Sequence, residues 1–123
     1  MQTTQHLNGA GEVIRTGELE IRPSEFLATA RGRTLSLSLR ELELLAALAR
    51  REGRIVSREE LYRTVWDGPM REEDRSVDVY VHKLRSKLAD ALPEWRFIHT
   101  HFGFGYRFAP ERSHLFHNSA TGR

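Results

Sequence analysis

Apolar positions along the chain change their spacing from one region to the next. Between residues 12 and 37 they alternate with polar ones in short stretches: Glu12-Val13-Ile14-Arg15, Glu18-Leu19-Glu20-Ile21, Phe26-Leu27-Ala28-Thr29 and Thr34-Leu35-Ser36-Leu37. Period two sends alternate side chains to opposite faces of a strand, and Gly17, Pro23-Ser24 and Arg31-Gly32 fall where turns are needed. This region is predicted to be an antiparallel meander of four strands. Ser38-Leu39-Arg40-Glu41 then has the order of a capping box, in which the Ser hydroxyl and the Glu carboxylate satisfy each other's backbone N–H groups. From there the spacing is helical: Leu42, Leu45, Ala46 and Ala49 share a face, and Leu44 and Leu48 widen it, so this helix is expected to be covered on more than one side and to end by Gly53.

Ile55-Val56 reads as a short apolar link, and Ser57-Arg58-Glu59-Glu60 as a second capping box. The helix it opens buries Leu61 and Val65 and runs to about Trp66, where Asp67-Gly68-Pro69 stops it. A third helix is predicted over about 75–90, with Val77, Val81, Leu84 and Leu88 at i, i+4, i+7 and i+11. Past Pro93, the runs Arg96-Phe97-Ile98-His99-Thr100-His101 and Tyr106-Arg107-Phe108 flank a glycine-bearing turn, Phe102-Gly103-Phe104-Gly105, and predict a β-hairpin. Residues 1–11 and 110–123 are polar and aperiodic apart from Leu115 and Phe116, so they read as flexible tails on one domain spanning 12–109.

Composition narrows the function. The chain has 123 residues, room for one domain by the usual ~100 to 200 residues each. Its longest unbroken apolar run, 44–49, falls far short of the ~20 residues of a membrane-spanning helix, so no membrane role is expected. The absence of cysteine excludes disulfides, thiolate metal sites and thiol nucleophiles. No phosphate-binding loop, His-Glu-x-x-His or Gly-x-Ser-x-Gly occurs, and Gly103-Phe104-Gly105 sits in a hairpin rather than a strand-to-helix turn, so neither an enzyme nor a cofactor is expected. His99 and His101 share a strand face, with His114 and His117 further on, but they lack a fixed carboxylate and are not expected to hold a metal. Net charge is only +2, yet the window 75–88 holds four basic residues and one acidic, which marks it for an anionic partner.

Strands, then three helices with the last one basic, then a hairpin, is the order of a winged helix-turn-helix, an α+β fold. A helix of ~16 residues is a rod of roughly 24 Å that fits a major groove about 12 Å wide. With its valine–leucine stripe turned inward, the third helix points Arg75, Val79, His82, Lys83 and Ser86 outward, flanked by Tyr80, Arg85 and Lys87. Charged groups suit phosphates and base acceptors, and an exposed valine suits a thymine methyl; a merely solvated basic face has the same charge pattern.

Ser57-Arg58-Glu59-Glu60-Leu61, Val65-Trp66, Asp74-Arg75-Ser76-Val77-Asp78-Val79, Leu84-Arg85, and Thr100 with Gly103-Phe104-Gly105-Tyr106-Arg107-Phe108 resemble the signature of OmpR/PhoB-type winged-helix effector domains. The resemblance runs from about residue 12 to 109. It implies a four-stranded N-terminal sheet, a three-helix core and a hairpin wing, in a bacterial response regulator of a two-component phosphorelay that acts in the cytoplasm at the nucleoid and regulates transcription. By position it implies base or groove contacts from Arg75, Val79, Tyr80, His82 and Lys83, and phosphate contacts from Arg58, Trp66, Arg85, Lys87, Thr100 and Tyr106. The wing Phe102, Gly103, Phe104 and Gly105 would lie near the minor groove. The loop Asp67, Gly68, Pro69, Met70, Arg71, Glu72 and Glu73 would face RNA polymerase.

The resemblance implies as partner double-stranded DNA with direct-repeat half-sites, on which a monomer pairs weakly head to tail. The chain departs from the family at three positions: Tyr80 where histidine is common, His82 where arginine is common, and Phe102 where the wing usually carries arginine. The eleven residues ahead of the module are not expected to hold the receiver domain that normally precedes it. A weakened wing and a small net charge make protein–protein contact the alternative use of the fold. Asp78 is expected to be structural, favoured by the helix dipole or paired with Arg85.

Overall fold

The computed structural model describes residues 11–113. The meander forms as β1 (Ile14–Thr16), β2 (Leu19–Arg22), β3 (Leu27–Ala30) and β4 (Arg33–Thr34), antiparallel and adjacent in chain order. Its register sets Ile14 opposite Ile21, Thr16 opposite Leu19, Leu19 opposite Ala30 and Ile21 opposite Ala28. All six of these side chains are buried on one face, as the alternation requires. The polar face carries Arg15 and Glu20, paired at 3.2 Å across the two strands.

Two strand predictions are corrected. Phe26 does not begin β3: Pro23 starts a single 3-10 turn over Pro23–Glu25, and Phe26 closes it in the left-handed region (φ 52°), with its N–H donating to the Pro23 carbonyl. The last strand stops at Thr34, because Leu35 and Leu37 fold back on the core and Ser38 must stay extended to cap the next helix.

In α1 (Leu39–Ala49) the capping box closes in both directions: Ser38 Oγ accepts from the Glu41 N–H at 3.2 Å, and the Glu41 carboxylate accepts from the Ser38 N–H at 2.8 Å. Leu44, Leu45, Leu48 and Ala49 have no exposed surface, because α1 packs against β1, both later helices and the last strand and is enclosed on most sides. The link Ile55–Val56 is a strand, β5, with Val56 opposite Tyr106. In α2 (Arg58–Trp66) only half of the expected box forms. Ser57 Oγ accepts from the Glu60 N–H, while the Glu60 carboxylate is drawn to Arg51 at 3.3 Å.

Helix α3 (Ser76–Ala91) buries Val77, Val81, Leu84 and Leu88, as the spacing predicts. Asp74 caps it by accepting from the Ser76 N–H at 2.8 Å. The hairpin is β6 (Trp95–His101) and β7 (Gly105–Arg112), and the second sheet has the order β5-β7-β6. Strand β7 thus continues three residues past the predicted domain end at 109. Arg112 lies opposite Trp95 and covers its ring at 4.9 Å, and the Ser113 N–H reaches the Glu94 carbonyl, so this stretch is held by the sheet. The tail residues 1–10 and 114–123, with Leu115, Phe116, His114 and His117, lie outside the described residues.

Charge pairs tie the layers together. Arg31 binds the Glu18 carboxylate through two nitrogens and also reaches Glu94, while the Trp95 indole N–H donates to Glu18 at 2.8 Å. These contacts hold the Glu18 carboxyl down at about 2, the hydrogen bond from Arg31 contributing most. Glu12, itself buried, takes two hydrogen bonds from Arg50.

Candidate nucleic-acid interface

One side of α3 is turned to the core, and the other presents Arg75, Val79, His82, Lys83 and Ser86 to solvent, the set the helical wheel predicts. Val79 keeps 47% of its surface exposed. Tyr80 is half-buried at the edge of this face, with the Lys83 ammonium 5.0 Å above its ring. Trp66 stacks on Tyr62 at 5.3 Å, meets Tyr80 edge-on at 5.5 Å and lies under the Arg40 guanidinium. The indole therefore packs α2 against α3 and sets the height of Tyr80 and Lys83.

Asp78, in the first turn of α3, is the polar hub where helix and wing meet. It accepts from the Tyr106 hydroxyl at 2.5 Å, pairs with Arg58 at 3.4 Å and lies 4.0 Å from Arg75. The expected Asp78–Arg85 pair is not formed; the wing, which no helical spacing can foresee, supplies Asp78 with a closer partner. Burial and the hydrogen bond to Asp78 push the Tyr106 phenol up to about 12. Tyr106 is only 8% exposed, and its hydroxyl proton is committed to Asp78.

Arg85 instead donates to the Thr100 hydroxyl on β6 and lies 5.5 Å from the Tyr106 ring centre. Its Nε is buried with no hydrogen-bond partner among the described residues. Burial lowers its affinity for its proton, and the like charge of Arg96 adds to that effect. Arg85, Arg96, Thr100 and Phe102 line one cleft between α3 and β6. Neither arginine, nor Lys83, has a carboxylate partner among the described residues, whereas Arg15, Arg22 and Arg31 of the four-stranded sheet and its turns are all paired with glutamates. Arg96 carries no mark in the sequence, because its place beside Arg85 depends on how the hairpin packs on α3.

Lys87 is placed elsewhere. Its ammonium donates to the buried Glu41 carboxylate at 2.7 Å and to the Ser36 carbonyl at 2.8 Å, on the side of α3 that faces α1 and the first sheet. Burial works against the charge on Glu41, but the donors on Lys87 and Ser38 outweigh it and keep this carboxyl below its ordinary range. A capping box and a cross-helix ion pair thus share one carboxylate.

The wing turn sets Phe102 and Phe104 outward around Gly103. Gly105 is required: it has φ +143°, and a Cβ there would lie 2.1 Å from the Val56 carbonyl oxygen of β5. Arg58, Asp78, Phe102, Phe104 and Tyr106 line a second cleft, so the wing tip is continuous with the N-terminal ends of α2 and α3. The two strand histidines have other partners, His99 Nε2 lying 2.8 Å from the Ala109 carbonyl and His101 accepting from Arg107 at 3.0 Å. Among the described residues, no group of three or more metal-ligating side chains is present. Arg71, Glu72 and Glu73 stand exposed in the loop between α2 and α3. No helix among the described residues is long and apolar enough to cross a membrane.

A recognition-type helix packed on a β-hairpin and on two further helices, in a chain that opens with a four-stranded sheet, defines a winged helix-turn-helix of the DNA-binding class. Residues 32–108 match the family described as "Transcriptional regulatory protein, C terminal", and the chain belongs to that family, the OmpR/PhoB-type effector domains. It is 39% identical over 94 residues to the transcriptional regulatory protein AfsQ1 of Streptomyces coelicolor, a match covering 76% of this chain and 42% of AfsQ1. The chain thus spans about two fifths of the length of the curated relatives it matches.

Among solved structures it resembles the DNA-binding domain of CpxR from E. coli, with TM-score 0.74 and 30% identity, covering 80% of this chain and 97% of that one. It also resembles the Klebsiella pneumoniae RstA DNA-binding domain in complex with the RstA box, with TM-score 0.72 and 34% identity over 80% of this chain and 98% of that one.

Proposed function

We propose that this domain binds duplex DNA sequence-specifically as the effector part of a transcriptional regulator, with α3 in the major groove and the wing against the neighbouring backbone. The observation that carries this reading is the cluster of uncompensated cations on one face. Arg85 and Arg96 converge on a cleft with no carboxylate, and the buried Arg85 Nε is left without an acceptor. Guanidinium groups that no carboxylate neutralises are free to form charge-assisted hydrogen bonds with phosphate oxygens at the mouth of the cleft. The RstA DNA-binding domain, which this chain resembles, is solved in complex with the RstA box, and that likeness supports DNA as the ligand.

In this arrangement Arg75, Val79, His82 and Lys83 read base edges, with Tyr80 at the rim, and Arg85, Arg96 and Thr100 hold phosphate. Arg58, Trp66 and Tyr106 act through packing and the Asp78 hub, and Lys87 has no part in contact. Direct-repeat half-sites would be occupied by two monomers head to tail. The exposed acidic residues Glu72 and Glu73 in the loop 67–73 would repel DNA and leave that loop for RNA polymerase, in the bacterial cytoplasm. Selection of bound duplexes from a random pool tests the central claim, followed by titration with salt. A defined consensus whose affinity falls with a log–log slope of about 0.9 per neutralised phosphate is expected. Absence of enrichment, or binding indifferent to salt, overturns it in favour of a protein-contact module.

A further inference from the structure

Two phenyl rings at the wing tip find no place within the domain. Phe102 is 88% exposed and Phe104 74%, on either side of Gly103, whereas Phe97 and Phe108 of the same hairpin are buried and stacked at 5.8 Å. Leaving two large apolar groups in water on a turn that polar residues can form is unfavourable, and such a patch marks a contact surface. Its surroundings identify the partner. Phe102 lines the cleft that holds Arg85 and Arg96, and both rings line the one that holds Arg58. Glu59 and Asp78 are the acids of that second cleft, and Asp78 is already engaged by Tyr106 and Arg58. Apolar rings edged by guanidinium groups complement a surface with anions outside and flat apolar groups within, which is a groove of stacked bases between two phosphate backbones.

We infer that Phe102 and Phe104 form an apolar wedge that enters the minor groove beside the α3 site and partly unstacks one base step, bending the duplex. The inference rests on the DNA-binding reading above. Apolar side chains inserted between base steps kink duplexes by about 20 to 90° toward the major groove, and pyrimidine–purine steps yield most easily. The wing then reads deformability where a cationic wing would read negative potential.

The test uses the full chain and a duplex selected from a random pool, labelled at its ends for energy transfer and carrying 2-aminopurine at successive wing-side steps. The unaltered chain is expected to shorten the end-to-end distance and to raise fluorescence at one step. Phe102→Ser with Phe104→Ser should abolish both signals, weaken binding by roughly 5- to 50-fold and leave the preferences read by α3 unchanged. Phe102→Leu with Phe104→Leu should retain the bend, since leucine also wedges.

A tight complex that leaves the duplex straight and stacked overturns the wedge while sparing the DNA reading, and so does equal bending by the serine variant. Loss confined to cooperativity on tandem sites overturns it too, because the rings would then meet a second copy. Failure to select any duplex overturns the DNA reading itself.

Discussion

The Tyr106 hydroxyl donates to Asp78 Oδ1 at 2.5 Å, and through this one contact the wing is fixed to the first turn of α3. Arg58 shares the same carboxylate, so β7, α2 and α3 meet at Asp78. Together with the Arg85–Thr100 bond, this junction positions the wing tip relative to the helix.

Tyr106→Phe removes the donor and leaves Asp78 to Arg58 and Arg75. A loss of about 1 to 2 kcal/mol is expected in urea unfolding. The phenol also makes stability pH-dependent. Its folded value of about 12 lies above the ordinary ~10, so the folded state keeps a proton that the unfolded chain gives up. This contribution is complete below pH ~10 and is lost as pH rises toward ~12. The Tyr106→Phe variant should lack that alkaline decline, and absorbance of the phenolate in the parent should show one late-titrating tyrosine.

Glu18 gives the opposite sign. Its carboxyl is held at about 2 by Arg31 and the Trp95 indole, below the ordinary 4.5. The folded state therefore stays ionised where the unfolded chain takes up a proton, and this contribution is full above about 4.5 and lost as pH falls toward 2. Glu18→Gln should flatten the acid limb of a melting-temperature profile between these values.

The backbone at the base of the wing tolerates no side chain. Gly105→Ala places a Cβ 2.1 Å from the Val56 carbonyl oxygen, at a φ that L residues avoid, so β5 and β7 must separate. A strongly destabilised or unfolded variant is expected. Gly103→Ala meets open space at φ +83° and should cost only about 1 kcal/mol. Circular dichroism melts of the two variants side by side measure the contrast.

Much of this architecture was legible because it is local. The Ser38–Glu41 box and the i, i+4, i+7, i+11 stripe of α3 are set by residues within a few turns, and both appear as the pattern requires. Ile55–Val56 was not legible as a strand, since two residues carry no period and their pairing partner lies about 50 residues away. The outward set on α3 followed from the helical wheel, but the roles of its flanking residues did not. Lys87 and Arg85 are two positions apart in one basic run; packing of α1 turns the first toward Glu41, and packing of the hairpin turns the second toward Thr100. Phe26 is not legible as a turn residue because the left-handed turn after Pro23 leaves no mark on hydrophobic alternation.

That divergence within a single helix gives the sharpest test of which cations serve the fold and which serve a ligand. Lys87→Ala strips the buried Glu41 of its ammonium partner, and an uncompensated buried carboxylate should lower stability by about 1 to 3 kcal/mol. Lys87 faces away from the recognition side, so the affinity of the folded fraction for a selected duplex should not change. Lys83→Ala is expected to do the reverse, leaving unfolding unaltered because its contact is a solvated one over Tyr80, while weakening DNA binding. Arg85→Ala removes a guanidinium whose Nε lacks a partner but which also donates to Thr100, so a stability cost of about 1 kcal/mol and a large effect on binding are expected, with the salt slope reduced by about 0.9 if it neutralises one phosphate. Unfolding and binding measured together on the three variants separate these cases. A loss of DNA affinity in Lys87→Ala that matches that of Arg85→Ala would show that the basic run acts as one undivided patch.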